Sequence, residues 1–274
     1  MAKYKIPEEG IYDARPLGKG RMFLLGFQHM FAMFGATVLV PILTGLDVST
    51  TLLFAGLGTL LFHLITGGKV PAFLGSSFAF LGGYAAIAPM LEDGSPNLEM
   101  LPYACFGVLC AGLMYVILAA LFKAFGASKV MRFFPPIVTG PIIIAIGLNL
   151  SSSAINNCTG NWWVAIVAIA IIVACNIWGK GMVKIIPILL GVIGSYIFAV
   201  IIDPAVRANV AQNVHDAEWL ALPIHMEHTV IGLFMRDNLD GHLLLTSVVT
   251  IVPLSLATMV EHIGDVSAIS STCN

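Results

Sequence analysis

The chain has 274 residues, of which 58% are hydrophobic and only 10% charged, with a formal net charge of −2. A soluble domain carries about 25% charged residues, so a mean hydropathy of +0.93 over the whole length excludes a soluble core with a single anchor and points to a polytopic membrane protein. The five cysteines are dispersed without CxxC spacing, which leaves neither an outer disulfide pair nor a cysteine metal site.

The first 21 residues are polar and basic. They contain no short apolar region closed by a small-residue cleavage site, so residues 1–21 read as a cytoplasmic N-terminus and not as a signal peptide. A helix crossing a bilayer needs about 20 apolar residues. Such stretches fall at Met22–Leu43, Thr51–Thr66, Leu101–Phe125, Ile137–Ala154, Trp162–Trp178 and Val183–Ile202, and a last one begins after Leu243. Between the second and Leu101 lies VPAFLGSSFAFLGGYAAIAPML. It is apolar enough to enter the membrane, but Pro71, Gly75, Gly82, Gly83 and Pro89 oppose a plain helix. Counted as a broken span, it brings the total to eight. Inside it GSSFAF alternates large and small residues, as a short strand does.

Charge supports this threading. With a cytoplasmic N-terminus the inner segments hold Lys3, Lys5, Arg15, Lys19, Arg21, Lys69, Lys123, Lys129, Arg132, Lys180 and Lys184. That is eleven of the thirteen basic residues, and only Arg207 and Arg236 fall outside. The bias is a positive-inside pattern, and it requires the broken span to cross. The outer segment 203–242 reads as a loop with an interfacial helix. Its His225 and His228 show no ligand spacing, so no metal is expected there.

Outside the loops and the N-terminal Glu8, Glu9 and Asp13, two acids remain: Glu261 and Asp265 in LATMVEHIGDVSAIS. Four residues apart, they share one helical face. An ionised carboxylate at membrane depth costs about 2.5–3.5 kcal/mol on insertion scales, and such groups normally face a cavity or partner and act on substrate, ion or proton. Counted from Leu243, Glu261 falls near the exit of a helix, where it is an ordinary interfacial acid; counted over Val249–Ser271, it lies at mid-depth. Phe78 in the broken span is either a packing residue or an aromatic face for a planar ligand, and Ser77 beside it is a weaker candidate. Gln28 and His29 in the first span echo the Glu261–His262 pair, either as two matched halves or as helix-packing residues. No HExxH or GxSxG occurs, and Cys, Ser and His residues do not cluster, so neither an enzyme nor a cofactor is expected.

QHMFAMFGATVLVPIL, GKVPAFLGSSFAF, FPPIVTGPIIIAIGLNL and VEHIGD closely resemble the uracil permeases of the nucleobase–ascorbate transporter family. The resemblance runs from about Phe27 to the end of the chain. It implies an all-α membrane fold of fourteen spans in two inverted seven-span repeats, with short strands in the third and tenth spans. It divides this chain into core-domain spans 1–4 over 22–126, gate-domain spans 5–7 over 127–202, the outer loop 203–242 and core-domain span 8 over 243–274. It implies a symporter in the cell (inner) membrane that imports uracil with protons, surrounded by lipid, with no nucleic-acid partner and with dimerisation through the gate domain. Glu261 corresponds to the glutamate that bonds the uracil ring, Phe78 to the aromatic beside it, and Ala36 to a backbone contact. Asp265 stands where these permeases can carry a histidine linked to coupling, so Glu261 and Asp265 are the coupling candidates. Thymine, xanthine or urate as substrate, sodium as the coupling ion, and an anion transporter of the same fold are the alternatives. The chain ends at Asn274 before the tenth-span strand, and is read as a fragment of a longer protein.

Cysteines introduced at Asn97 and Asn157 should react with an impermeant maleimide from outside, and those at Ser128 and Gly181 only from inside. Labelling of Asn97 from inside would show that the broken span does not cross.

Overall fold

The computed structural model describes residues 17–130, 132, 135–180, 182–217, 222–226 and 229–273. These form helices and turns, with no strand among the described residues. The order is α1 (Lys19–Ala32), α2 (Phe34–Thr44), α3 (Val48–Ile65), a 3-10 turn (Phe78–Phe80), α4 (Leu81–Ile87), α5 (Leu101–Phe125), α6 (Ala127–Val130), α7 (Pro136–Cys158), α8 (Trp162–Trp178), α9 (Met182–Ile185), α10 (Pro187–Ile202), α11 (Pro204–Asp216), α12 (Val230–Phe234), α13 (Gly241–Ile251), a second 3-10 turn (Val252–Leu254) and α14 (Ser255–Cys273). Val48–Ile65, Leu101–Phe125 and the continuous run Gly241–Ser267 are each long and apolar enough to cross a bilayer. Their outer faces are apolar: Leu60, Leu64 and Ile65 on α3, and Leu113 and Val116 on α5, are all exposed. That inverts the pattern of a water-soluble helix.

The chain forms two compact units. One comprises residues 1–35 and 149–222. Within it α8 and α10 pack closely because Gly191 has no side chain to meet Ile172 and the Ala168 carbonyl. Small residues let membrane helices approach in this way. After α10 the chain turns through 111° into α11, a polar helix carrying Arg207, Asn209, Gln212 and Asn213. Asp203 caps α11 by accepting from the Ala205 amide at 2.9 Å.

The other unit comprises residues 36–148 and 223–274 and holds the candidate site. Its core is Tyr84, Ala88, Leu101, Ala104, Ala111 and Ile251. Ile251 of α13 fills the space left by Gly83 of α4 and Gly107 of α5. Two of its helices are capped by acids. Asp47 accepts from the Thr50 amide at 2.7 Å and the Ser49 hydroxyl at 2.7 Å. Asp240 accepts from the His242 amide at 2.8 Å. Burial opposes ionisation of Asp47, but its hydrogen bonds from Thr50 and Ser49 outweigh this and hold the carboxyl below its ordinary range. The segment before α13 is tied down by Arg236, whose guanidinium donates to the Glu99 carbonyl at 3.0 Å. The Asp240 amide adds a donation to the Tyr103 hydroxyl at 3.1 Å.

The helices depart from the sequence expectation at three places. The first span is interrupted at Met33 between α1 and α2. The Val183–Ile202 span is divided at Ile186 because Pro187 has no amide to continue the ladder and starts α10 instead. The strand expected in GSSFAF is absent: its first residues are irregular, and Phe78–Phe80 form a 3-10 turn. A strand needs a partner's backbone, and among the described residues none lies alongside. Gly181 and His228 lie outside the described residues.

A Cβ at Gly107 would sit 2.8 Å from the Ser247 carbonyl oxygen and 2.8 Å from Ile251 Cδ1, whereas one at Gly112 on the same helix meets nothing within 4 Å. Gly107→Ala should therefore lower stability by about 1–3 kcal/mol, the cost of overpacking. Gly112→Ala should be neutral or slightly stabilising, as alanine favours helix. Thermal unfolding of the purified variants in detergent checks the contrast; equal behaviour would contradict it.

Candidate substrate site

Between α3 and the first 3-10 turn, residues 70–77 leave the helical conformation. Pro71 lacks an amide, and Gly67 and Gly68 have positive φ of 60° and 69°, which ends α3 and redirects the chain. The freed backbone needs partners. Thr59 on α3 supplies one: its hydroxyl accepts from the Leu74 amide at 3.0 Å, while its proton is shared between the Ala55 carbonyl at 2.8 Å and the Leu74 carbonyl at 3.1 Å. Gly75 lies where a Cβ would come 3.1 Å from Thr37 Oγ1 and 2.9 Å from Phe73, so only glycine allows the segment to approach α2 this closely. Ser77 caps the turn by accepting from the Ala79 amide at 3.3 Å. Among the described residues, no hydrogen-bond partner takes the amides of Gly75, Ser76 and Ser77.

Glu261 comes to this segment from α14. Asp240 starts the helical run at Gly241, and Pro253 falls in the 3-10 turn that joins α13 to α14. Glu261 is half-buried, and its Oε2 atom is buried with no hydrogen-bond partner among the described residues. The Ser77 side chain lies near the same carboxyl. An acceptor-only carboxylate with a buried oxygen left over thus stands beside a segment with amide donors left over. Buried polar groups are normally paired, so the leftover carboxylate oxygen is a candidate contact for a polar ligand.

The other candidates distribute as follows. Phe78 follows Ser77 directly and is half-buried, at the start of the 3-10 turn. His262 and Asp265 are exposed on α14. His29 is exposed near the end of α1 and belongs to the other unit, as does Gln28. The side chains of Gln28 and Ala36 lie outside the described residues. Three participants were not singled out from sequence. Thr59 props the irregular segment, and Tyr115 and Thr258 bond each other at 2.8 Å between α5 and α14. A hydroxyl on an apolar helix gives little sequence signal, although Thr59 stands fifteen residues before Leu74 in an otherwise apolar run. Among the described residues no three His, Cys, Asp or Glu side chains gather to hold a metal. A cavity of about 460 Å³ adjoins Gly75 and Ser76 and is lined also by Asp47, Thr50, Cys105 and Thr229. A second, of about 550 Å³ between α5 and α14, is walled by Met114, Leu118, Leu121, Leu256 and Met259 and offers almost no polar group.

Comparison with known proteins gives the family. Residues 20–274 match the sequence profile Xan_ur_permease, described as the Permease family. The chain is 38% identical over 256 residues to the uracil permease of Bacillus caldolyticus, covering 89% of this chain and 54% of that protein. It is 37% identical over 250 residues to the uracil permease of Bacillus subtilis, covering 86% and 53%. Against the uracil permease of Escherichia coli it is 33% identical over 255 residues, covering 88% and 52%. The chain spans about half the length of the curated relatives it matches. With a profile match over almost all its residues and several apolar helices of spanning length, the chain belongs to the Permease family and is a multi-pass membrane protein.

Proposed function

We propose that the permease carrying these residues imports uracil across the cell membrane together with protons. The observation that carries the reading is the buried, unpartnered Oε2 of Glu261 beside the irregular segment at Ser77. Uracil is flat, neutral and rimmed by N–H donors and carbonyl acceptors. Glu261 accepts from a ring N–H, the free amides of the 75–77 segment donate to a ring carbonyl, and Phe78 covers the face of the ring. Ala36 adds a backbone contact from α2. The relatives' names supply the choice of uracil.

Asp265, one turn beyond Glu261, is the second member of the coupling pair. The N-terminus is cytoplasmic, as the distribution of basic residues requires. The fold is the two-repeat arrangement, with a core domain of spans 1–4 and 8, a gate domain of spans 5–7, and pairing of two copies through the gate. A membrane transporter commonly places its substrate at a broken element near the midplane, where irregular backbone lines a cavity. The segment at 70–77 has that character.

Glu261→Gln should abolish concentrative uptake of radiolabelled uracil and weaken binding by about tenfold or more, the scale of a lost hydrogen bond to a charged group. Asp265→Asn should retain more of the binding while changing the dependence of uptake on pH. A protonophore should collapse wild-type accumulation. Uptake by Glu261→Gln at the wild-type level would refute the assignment.

Phe78→Ala should weaken uracil binding by about 1–2 kcal/mol, the range for an aromatic stacked on a base, with expression unchanged. Expression that falls in step with activity would make Phe78 a packing residue.

A further inference from the structure

A directed chain of hydrogen bonds runs beside Glu261. The Thr258 hydroxyl donates to the Ser255 carbonyl at 2.9 Å. The Tyr115 hydroxyl, reaching across from α5, donates to Thr258 Oγ1 at 2.8 Å. Each hydroxyl has a single proton to give. Tyr115 Oη also lies 2.8 Å from His262 Nδ1. With the proton of Tyr115 committed to Thr258, and that of Thr258 to Ser255, this last bond is donated by the ring. His262 therefore carries a proton on Nδ1, and Nε2 is the acceptor atom of the neutral imidazole. Thr258 is only 1% exposed, so water does not compete for its hydroxyl. The Tyr115 and His262 rings pack at a centroid distance of 5.5 Å, tilted by 42°.

Thr258 and His262 are one helical turn apart, and Glu261 projects from the same side of α14. By holding two consecutive turns of that side, Tyr115 fixes how α14 is rotated about its axis. That rotation determines whether the Glu261 carboxyl faces Ser77. Apolar packing alone specifies it poorly, since apolar faces in a bilayer are nearly equivalent to lipid and directional polar bonds select among them.

We propose that Tyr115 is a positioning residue of the site: it locks the rotation of α14 that presents Glu261 to Ser77, and it holds His262 as the Nδ1-protonated form. The proposal rests on the reading of Glu261 as the ligand of uracil. The test compares uracil binding by the purified permease with that of Tyr115→Phe, His262→Asn, His262→Gln and Glu261→Gln. It adds the ¹⁵N spectrum of histidine-labelled wild type, with the His262 signals assigned by their loss in His262→Asn. An asparagine places its N–H near the position of Nδ1, whereas a glutamine places it near Nε2. Tyr115→Phe and His262→Gln should each weaken binding about fivefold, the scale of one neutral hydrogen bond. His262→Asn should bind close to wild type, and the His262 signals should report a proton on Nδ1. A proton on Nε2, wild-type binding by Tyr115→Phe, or equal losses in His262→Asn and His262→Gln would each overturn the proposal. If Tyr115→Phe does not fold, the wild-type tautomer and the Asn–Gln contrast decide it. Wild-type binding by Glu261→Gln would sink the uracil reading alone, and the tautomer would still decide the lock.

Discussion

A backbone amide or carbonyl at membrane depth must find a hydrogen-bond partner, and the rest of this structure is arranged around one segment where that demand is met from outside the backbone ladder. Helices satisfy it by themselves. Residues 70–77 do not form one. Thr59 meets part of their need by accepting from the Leu74 amide, and Gly75 lets the segment press against α2. Among the described residues no partner takes the amides that follow, and in the proposed function a ligand does. The same constraint accounts for Glu261. A carboxylate costs several kcal/mol in hydrocarbon, and it is tolerable when it faces Ser77 and a polar ligand but not when it faces lipid. The broken span and the acid are therefore two halves of one arrangement, with donors on one side and an acceptor on the other.

What keeps the two halves in register is ordinary packing with a few directional bonds. Gly83 and Gly107 let α13 settle against α4 and α5 through Ile251. The Asp240 cap sets where the last helical run begins, and so how far along it Glu261 falls. Arg236 and the Asp240 amide fasten the approach to this helix onto the start of α5. Tyr115 then ties the middle of α5 to α14. Each contact is modest. Together they restrict the last helix in position and rotation.

Much of this was legible in the residues. The bounds of α5 and α8 agree with the sequence expectation, because their apolar runs end at clear punctuation: Gly126 after Phe125, and the Asn161 cap before Trp162. The irregular backbone at 70–77 was announced by Pro71 and the glycines around it, and Glu261 was singled out as one of only two acids in apolar surroundings. Other features were not legible, for physical reasons. The break at Met33 has no proline or glycine at the break itself. Alternation over six residues in GSSFAF fits a strand and a 3-10 turn equally well until a partner strand is present or absent. The Asp240–Gly241 pair was a usable cap signal for an earlier start to the last helix. The Tyr115–His262 contact joins residues 147 apart in sequence, and no local pattern encodes such a meeting.

The central claim is that the Glu261 carboxyl itself meets the substrate. Infrared difference spectroscopy of the reconstituted permease, recorded with and without uracil, reads carboxyl groups directly. The account predicts a carboxyl band that shifts when uracil binds and that is missing from the difference spectrum of Glu261→Gln at saturating uracil. An identical difference spectrum in wild type and Glu261→Gln would contradict it.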